Sequence, residues 1–395
     1  MATFRKRCVL VPREGCVWAD KMVLNPAMVA DPDAPGTIHM LFRATGPYPQ
    51  AQVDGKPLPY PIFLGYGVSH DNGENWEFDF SRPAMSPRLD FDKEAFLRNS
   101  CRNQKMFDYA NGCVEDPRLF YFEDALYLTV ACRAFPPGPY WDHDDPVQGM
   151  PEMVNSPSSS HGWAAYSNLP AGTRNDTVTM LYRVNLARLA AHDYDNAFQV
   201  VAPLHQPDVS DDRDVVLFPR RIRIGNERKI VCIHRPKYPW NYGIGKELKS
   251  PSIFFAAADS LEDFYLGNVS RTVFAVPEFE WERNRIGASW APLEIEQGLW
   301  LFPYHGKQDD LVGYTQSFMV LKENGTLDMD IVSRPAGRLL YADQPWELEG
   351  EFTIPCLFTC SGVLLPNGKL LMGYGAADKK VGLVDTDYNK LLGEL

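Results

Sequence analysis

Long apolar runs are missing from this sequence: none approaches the ~20 residues that a bilayer-crossing helix requires. Residues 1–20 carry Arg5, Lys6 and Arg7 without an apolar segment behind them, so no secretory signal is read there. Cysteines number eight and lie scattered, with no CxxC pair. Several sit in strand-like runs, where a reduced, buried thiol is the ordinary occupant, which reads as a cytoplasmic, reduced protein. Histidines are also eight, without HExxH or paired His/Cys spacing, so no metal site is expected. A glycine-rich loop of the P-loop type is absent too. Positive charge is in deficit, with 39 Lys and Arg against 51 Asp and Glu and a net charge of -12. Nucleic acid and anionic membrane are therefore poor partners, and an anionic ligand must meet a local basic pocket. Helical periodicity is scarce, with residues 184–192 the best candidate for a short helix.

What remains is a β-rich pattern with core to spare, since 45% of residues are hydrophobic and 12% aromatic. The stretch Gly112-Cys113-Val114-Glu115-Asp116-Pro117-Arg118-Leu119 sets an acid pair and an arginine at the mouth of a strand that continues as Phe120-Tyr121-Phe122. A turn at Glu123-Asp124-Ala125 and an apolar run over 126–132 complete a hairpin with a charged cluster at its entrance. Charges avoid burial unless paired, so the cluster is either a surface salt bridge capping a strand or part of a site.

The hairpin recurs. Residues 25–30 and 38–43 flank a turn at 31–36, and residues 215–219 and 229–236 flank one near Gly225-Asn226. Residues 286–293 precede 299–306, and residues 356–365 precede 370–375 across Pro366-Asn367-Gly368. Further strand-like segments over 63–69, 179–184, 252–257 and 317–321 complete each unit, and Ser69-His70-Asp71-Asn72-Gly73 links two of them with turn residues. Five small antiparallel sheets at irregular spacing predict an all-β, five-bladed β-propeller over residues 1–395 as a single domain. A β-sandwich with long insertions is the alternative. Residues 136–175, rich in Pro, Gly and Ser, read as an inserted lid or oligomer contact bordering the acceptor.

A radial fold brings the ends of its inner strands together. Arg43, Arg133, His234 or Arg235, and His305 would then converge near Asp116 and suit an anion and a sugar. Asn25-Pro26-Ala27, Phe42-Arg43-Ala44, Glu115-Asp116-Pro117-Arg118, Asp214-Val215-Val216-Leu217-Phe218-Pro219, His234-Arg235-Pro236, Ile286-Gly287-Ala288, Tyr304-His305-Gly306 and Tyr374-Gly375-Ala376-Ala377-Asp378 occur in this order. The series resembles glycoside hydrolase family 130, the β-mannoside phosphorylases and related β-mannosidases, from about residue 25 to 392.

The resemblance implies a five-bladed propeller and puts the general acid on Asp116. An inverting phosphorylase needs one protein carboxyl, because phosphate replaces the water and base of an inverting hydrolase. Glu115 would raise the acid's pKa and Arg118 would oppose that. In some members the proton passes through a sugar hydroxyl. The resemblance further implies phosphate binding by Arg133, Arg183, Arg213 and His234, with lysine more usual at the place of Arg213 and a one-residue gap before Arg133. Asn25, Arg43, Glu115, Arg118, His305 and Asp378 are implied to line the substrate pocket. One departure stands out: Phe352-Thr353-Ile354-Pro355 lacks the carboxylate that family phosphorylases place there for the glycone.

The expected function is phosphorolysis of a β-mannoside oligosaccharide to α-mannose 1-phosphate, with inorganic phosphate as co-substrate, no cofactor, and a homo-oligomer left open. The rival is a β-mannosidase whose base is Asp211, Asp212 or Asp214. A noncatalytic sugar-binding propeller, stacking sugars on Trp141, Trp163, Trp240 or Trp290, is a third reading.

Overall fold

The hairpins expected from the pattern are present in the computed structural model, which describes residues 3–48, 52–53, 56–57, 61–89, 96–98, 105–133, 176–309, 311–350 and 355–395. The inserted segment at 136–175, Trp141, Trp163 and the run at 352–354 lie outside the described residues.

The described residues are all-β with a few short helices, and their strands form five antiparallel meanders. After β1 (Arg5–Leu10), the first meander is β2 (Met22–Ala30), β3 (Ile38–Thr45), β6 (Ile62–Ser69) and β7 (Glu77–Asp79), with the short pair β4 (Gln52–Val53) and β5 (Lys56–Pro57) inserted. A second short pair, β8 (Phe96–Arg98) and β9 (Lys105–Phe107), leads to the second meander. This comprises β10 (Cys113–Phe122), β11 (Ala125–Arg133), β12 (Val178–Val184) and β13 (Phe198–Pro203). A single parallel pairing, Cys113 with Ile62, joins these two meanders into one sheet. The third is β14 (Asp212–Leu217), β15 (Ile222–Ile224), β16 (Glu227–Pro236), β17 (Ile253–Ala258) and β18 (Ser270–Ala275). The fourth is β19 (Arg285–Ala288), β20 (Leu293–Glu296), β21 (Leu299–Lys307), β22 (Tyr314–Lys322) and β23 (Asp330–Ser333). The fifth is β24 (Leu357–Leu364), β25 (Lys369–Ala376) and β26 (Lys380–Asp387), and β1 pairs with β26 to give it a fourth strand.

Turn chemistry accounts for the hairpins. Phe122 pairs with Ala125 across Glu123-Asp124, where Glu123 takes φ 52°. Ile224 pairs with Glu227 across Gly225-Asn226, where Gly225 has φ 60°. Two-residue hairpin loops need this left-handed backbone to match strand twist. The helix expected over 184–192 spans Leu186–Ala190, capped by the Asn185 side chain, which accepts from the Arg188 amide at 3.1 Å. In the fourth meander the expected strand over 286–293 is broken into β19 and β20 at Ser289-Trp290-Ala291-Pro292. Pro292 has no N–H for the ladder, Trp290 is buried, and the carbonyls of Ala288 and Ser289 turn to accept from Arg118.

Aromatic packing fills the space between neighbouring meanders. Phe218, Phe255, Phe274 and Trp300 join the third to the fourth, with Phe255 and Phe274 stacked at 3.9 Å. Truncating such a buried ring costs about 3–5 kcal/mol, so this packing sets the relative placement of the strands that carry charged side chains. The leading strands also touch one another: β2 packs against β10 and β24, and β14 against β19. No helix among the described residues is long and apolar enough to cross a membrane.

Candidate active site

Three of the leading strands share one device. In β2, β10 and β14 the register slips by one residue, between Leu24 and Ala27, Glu115 and Arg118, and Arg213 and Val216. The extra residue is Asn25, Asp116 or Asp214, with φ of 48°, 52° and 56°. Asn and Asp tolerate left-handed backbone better than other L-residues, and a bulge re-aims the side chain it carries. Each bulge therefore turns a short polar side chain out of the ladder, towards residues from neighbouring meanders.

Asp116 is the focus of the first group. Its Oδ1 accepts from Asn25 Nδ2 at 2.7 Å and from Arg43 Nη1 at 2.9 Å, and about 23% of its side chain remains exposed. Burial pushes the carboxyl up, but Arg43, the Asn25 hydrogen bond and Arg118 outweigh it and hold Asp116 below its ordinary value. Glu115 is buried beside it, with Oε2 3.1 Å from Arg43 Nη1 and Oε1 3.4 Å from Arg133 Nε. The contest expected between Glu115 and Arg118 is thus decided chiefly by Arg43. Gly375 lies against this group, and a Cβ there would collide with the Asn25 side-chain oxygen, so only glycine lets β25 approach.

Arg213 extends the basic side. Its Nε lies 3.3 Å from Asp211 Oδ1, its side chain is 38% exposed, and it feels the charges of Asp211, Glu115 and Asp116. Asp211 also accepts from the Thr177 amide at 3.1 Å. Burial pushes the Asp211 carboxyl up, but Arg213, Arg133 and the amide bring it down to about 2. Asp378, at φ 51° between β25 and β26, accepts from the Cys356 thiol at 3.6 Å. Burial raises its pKa, and Arg43 and the thiol only partly oppose that.

Asp214 is the focus of a second, deeper group. Its Oδ1 accepts from Arg118 Nη2 at 2.9 Å, its Oδ2 from Arg235 Nε at 2.5 Å, and His305 Nε2 stands 3.3 Å from Oδ2. Burial would raise this carboxyl, but Arg235, His305 and Arg118 hold it well below the usual range. Arg118 also donates to the carbonyls of Ser289, Asp116 and Ala288, so its fork is committed to protein acceptors rather than open to substrate. His305 is fully buried, 3.3 Å from Ser289 Oγ through Nδ1, and packs on Phe358 and Tyr314. His234 lies in a third group, where its Nδ1 is 3.0 Å from Asp212 Oδ2.

The sequence reading is corrected at Arg183. This residue is exposed on β12, paired in register with Tyr127, whereas Arg133 ends β11 beside Cys113. Six residues of strand, about 20 Å, separate the two positions. Arg183 lines a surface groove of about 510 Å³ with Asp124, Asn185 and Asn196 instead. The basic group near Asp116 therefore holds Arg133 and Arg213 without Arg183. What the sequence reading missed was the common bulge and the hub at Asp214. The signal for both was an Asn or Asp followed by Pro or Val at the same place in three repeated strands.

Residues 250–394 match a family model described as beta-1,4-mannooligosaccharide phosphorylase. Over those residues the chain is similar to glycoside hydrolase family 130. The match covers His305 and Asp378, whereas Asp116 and the arginines around it precede it. Among solved structures, a beta-1,2-mannobiose phosphorylase from Listeria innocua, in complex with beta-1,2-mannobiose, is 15% identical with a TM-score of 0.63 and covers 100% of this chain and 99% of its own. A glycosyl hydrolase from Bacteroides ovatus is 15% identical with a TM-score of 0.59, covering 97% of this chain and 93% of its own. A third, from work describing family 130 glycoside hydrolases that target beta-1,2 mannosidic linkages in Candida mannan, is 13% identical with a TM-score of 0.56, covering 96% and 93%. At these identities the structural likeness establishes fold alone. No curated protein matches the chain.

Proposed function

We propose that this chain is an inverting β-mannoside phosphorylase of family 130, built as one five-bladed β-propeller whose blades are the five meanders. The observation that carries the reading is the Asp116 cluster: one carboxyl on a bulge, contacted by Asn25 and Arg43, with Arg133 and Arg213 close by. In this reading Asp116 gives its proton to the departing glycosidic oxygen, directly or through a sugar hydroxyl. A phosphate oxygen attacks the anomeric carbon from the opposite face, the glycosidic C–O bond breaks, and α-mannose 1-phosphate leaves with a shortened acceptor. Asn25, Arg43 and Asp378 line the glycone side, and Asp378 stands in for the carboxylate missing from 352–355.

A general acid must hold a proton, yet the cations around Asp116 favour its charged form. Phosphate resolves the conflict. An anion between Arg133 and Arg213 offsets part of the positive field, and sugar bound over the carboxyl removes its remaining water, so both changes favour the protonated acid. Acid function thus depends on prior binding of phosphate and sugar.

Hydrolysis is the rival, and the candidate bases are poorly suited to it. Asp214 is bound by two arginines, Asp211 by Arg213 and an amide, and Asp212 by His234 and Tyr242. The deciding experiment is product analysis on β-1,2- and β-1,4-linked mannosides, with and without phosphate. Mannose 1-phosphate forming only when phosphate is supplied supports the reading. Free mannose released at full rate in phosphate-free buffer refutes it.

A further inference from the structure

Between the second and third meanders lies a buried polar cluster that the proposed reaction does not use. Asp212 is completely buried, and among the described residues its charge partners are two histidines, with no arginine or lysine. Its Oδ2 receives Tyr242 Oη at 3.2 Å and His234 Nδ1 at 3.0 Å. His205 faces the same oxygen at 3.7 Å through Nδ1. The tautomer of His205 follows from its other nitrogen, which accepts from the Thr179 amide at 3.1 Å, so Nδ1 carries the hydrogen. Arg271 lies over the Tyr242 ring at 4.0 Å and closes the outer side.

Among the Asp212, His205 and His234 side chains three atoms are buried without a hydrogen-bond partner: Asp212 Oδ1, His205 Nδ1, which faces Asp212 Oδ2 across 3.7 Å, and His234 Nε2. Buried polar atoms are nearly always satisfied, so an orphaned imidazole nitrogen points to a ligand. His234 Nδ1 is occupied by a carboxylate. The ring's free side is therefore Nε2. The same division of labour holds wherever a buried aspartate orients a working histidine.

We propose that Asp212, assisted by Tyr242, is a positioning residue that holds His234 by Nδ1 so that Nε2 hydrogen-bonds to bound phosphate. The inference rests on the phosphorylase reading and deepens it: His234 contacts the anion, and Asp212 acts through His234 alone. Asp214, two residues along β14, serves a different group and does not share this role.

The test is a double-mutant cycle on the full chain, read as KM for inorganic phosphate against KM for the mannoside. Asp212→Asn should raise the phosphate KM about tenfold while the mannoside KM moves less than twofold. His234→Ala should do the same or more. The double variant should be no worse than His234→Ala, because the aspartate has nothing left to position. Tyr242→Phe keeps the charge and loses one donor, so it should raise the phosphate KM two- to threefold, and it decides the matter should Asp212→Asn fail to fold. Equal rises in both KM values, effects that multiply in the double variant, or a phosphate KM indifferent to Tyr242→Phe would each overturn the inference while leaving the phosphorylase reading intact. A wild type that neither requires nor binds phosphate overturns both.

Discussion

Asp214→Asn is the sharpest separator of a structural carboxylate from a hydrolytic base. The change keeps the shape of the side chain and removes its charge, leaving Arg118 and Arg235 buried, 3% and 8% exposed, with their shared counter-ion gone. Breaking a buried pair by removing one partner costs about 3–5 kcal/mol. Unfolding entropy of roughly 2.1 cal/mol/K per residue over 395 residues is about 0.8 kcal/mol/K, so Tm should fall by about 4–6 °C. The pH dependence carries a sign. Asp214 has its pKa lowered on folding, so its stabilisation is present above the unfolded value near 3.8 and is lost as pH falls through the folded value. The gap in Tm between wild type and variant should therefore be widest near neutrality and shrink on acidification below about pH 3.8. Calorimetry at a series of pH values reads both effects. A variant with unchanged Tm and a selective loss of phosphate-independent mannoside cleavage would mean that Asp214 is a base rather than a structural counter-ion.

Asp116→Asn should leave the melting temperature within a few degrees of wild type and slow turnover of a natural disaccharide by at least ~10²-fold, with a smaller loss for aryl mannosides whose leaving groups need little protonation; steady-state rates on the two substrate types check it. Arg133→Ala and Arg213→Ala should each raise the phosphate requirement about ten- to a hundredfold, the scale of one lost charged hydrogen bond. Arg183→Ala should leave it unchanged, and a matching rise there would contradict the placement of that residue on the outer groove. Gly287→Ala puts a methyl group against Asp214 Oδ2 and, at 2.7 Å, against His305 Nε2, so urea denaturation should show a loss of about 1–3 kcal/mol.

Strand pairs were legible because side-chain alternation and turn residues are local signals: Gly225-Asn226 and Asn367-Gly368 each name their hairpin without help from distant sequence. Arg43 and Asp116 were legible as a pair because both sit at ends of repeated strands. Arg183 was not, because position within a motif says nothing about register. Its place opposite Tyr127 is set by strand pairing across the long segment before β12. Arg118 was read as a pocket residue, yet its acceptors at Ala288, Ser289 and Asp214 lie 96 to 171 residues away, beyond any local pattern. The depressed state of Asp116 was hidden for the same reason, since Arg43 is 73 residues upstream.

The pairing of β1 with β26 has a consequence for how the chain is made. About 370 residues separate the two strands, so at roughly 5–20 residues per second a ribosome delivers the partner some 20–75 s after the first strand emerges. During that wait β1 is an orphan edge, the kind of segment that other nascent chains can capture. Its composition answers the hazard. Arg5, Lys6 and Arg7 stand in a row where an apolar strand would be sticky, and each finds an acid in the finished protein: Arg5 meets Asp385, Lys6 meets Asp343 and Glu347, and Arg7 meets Glu74. The same three charges thus guard the strand against the wrong neighbour during synthesis, and Arg5, through Asp385, ties it to β26 once that strand has been made.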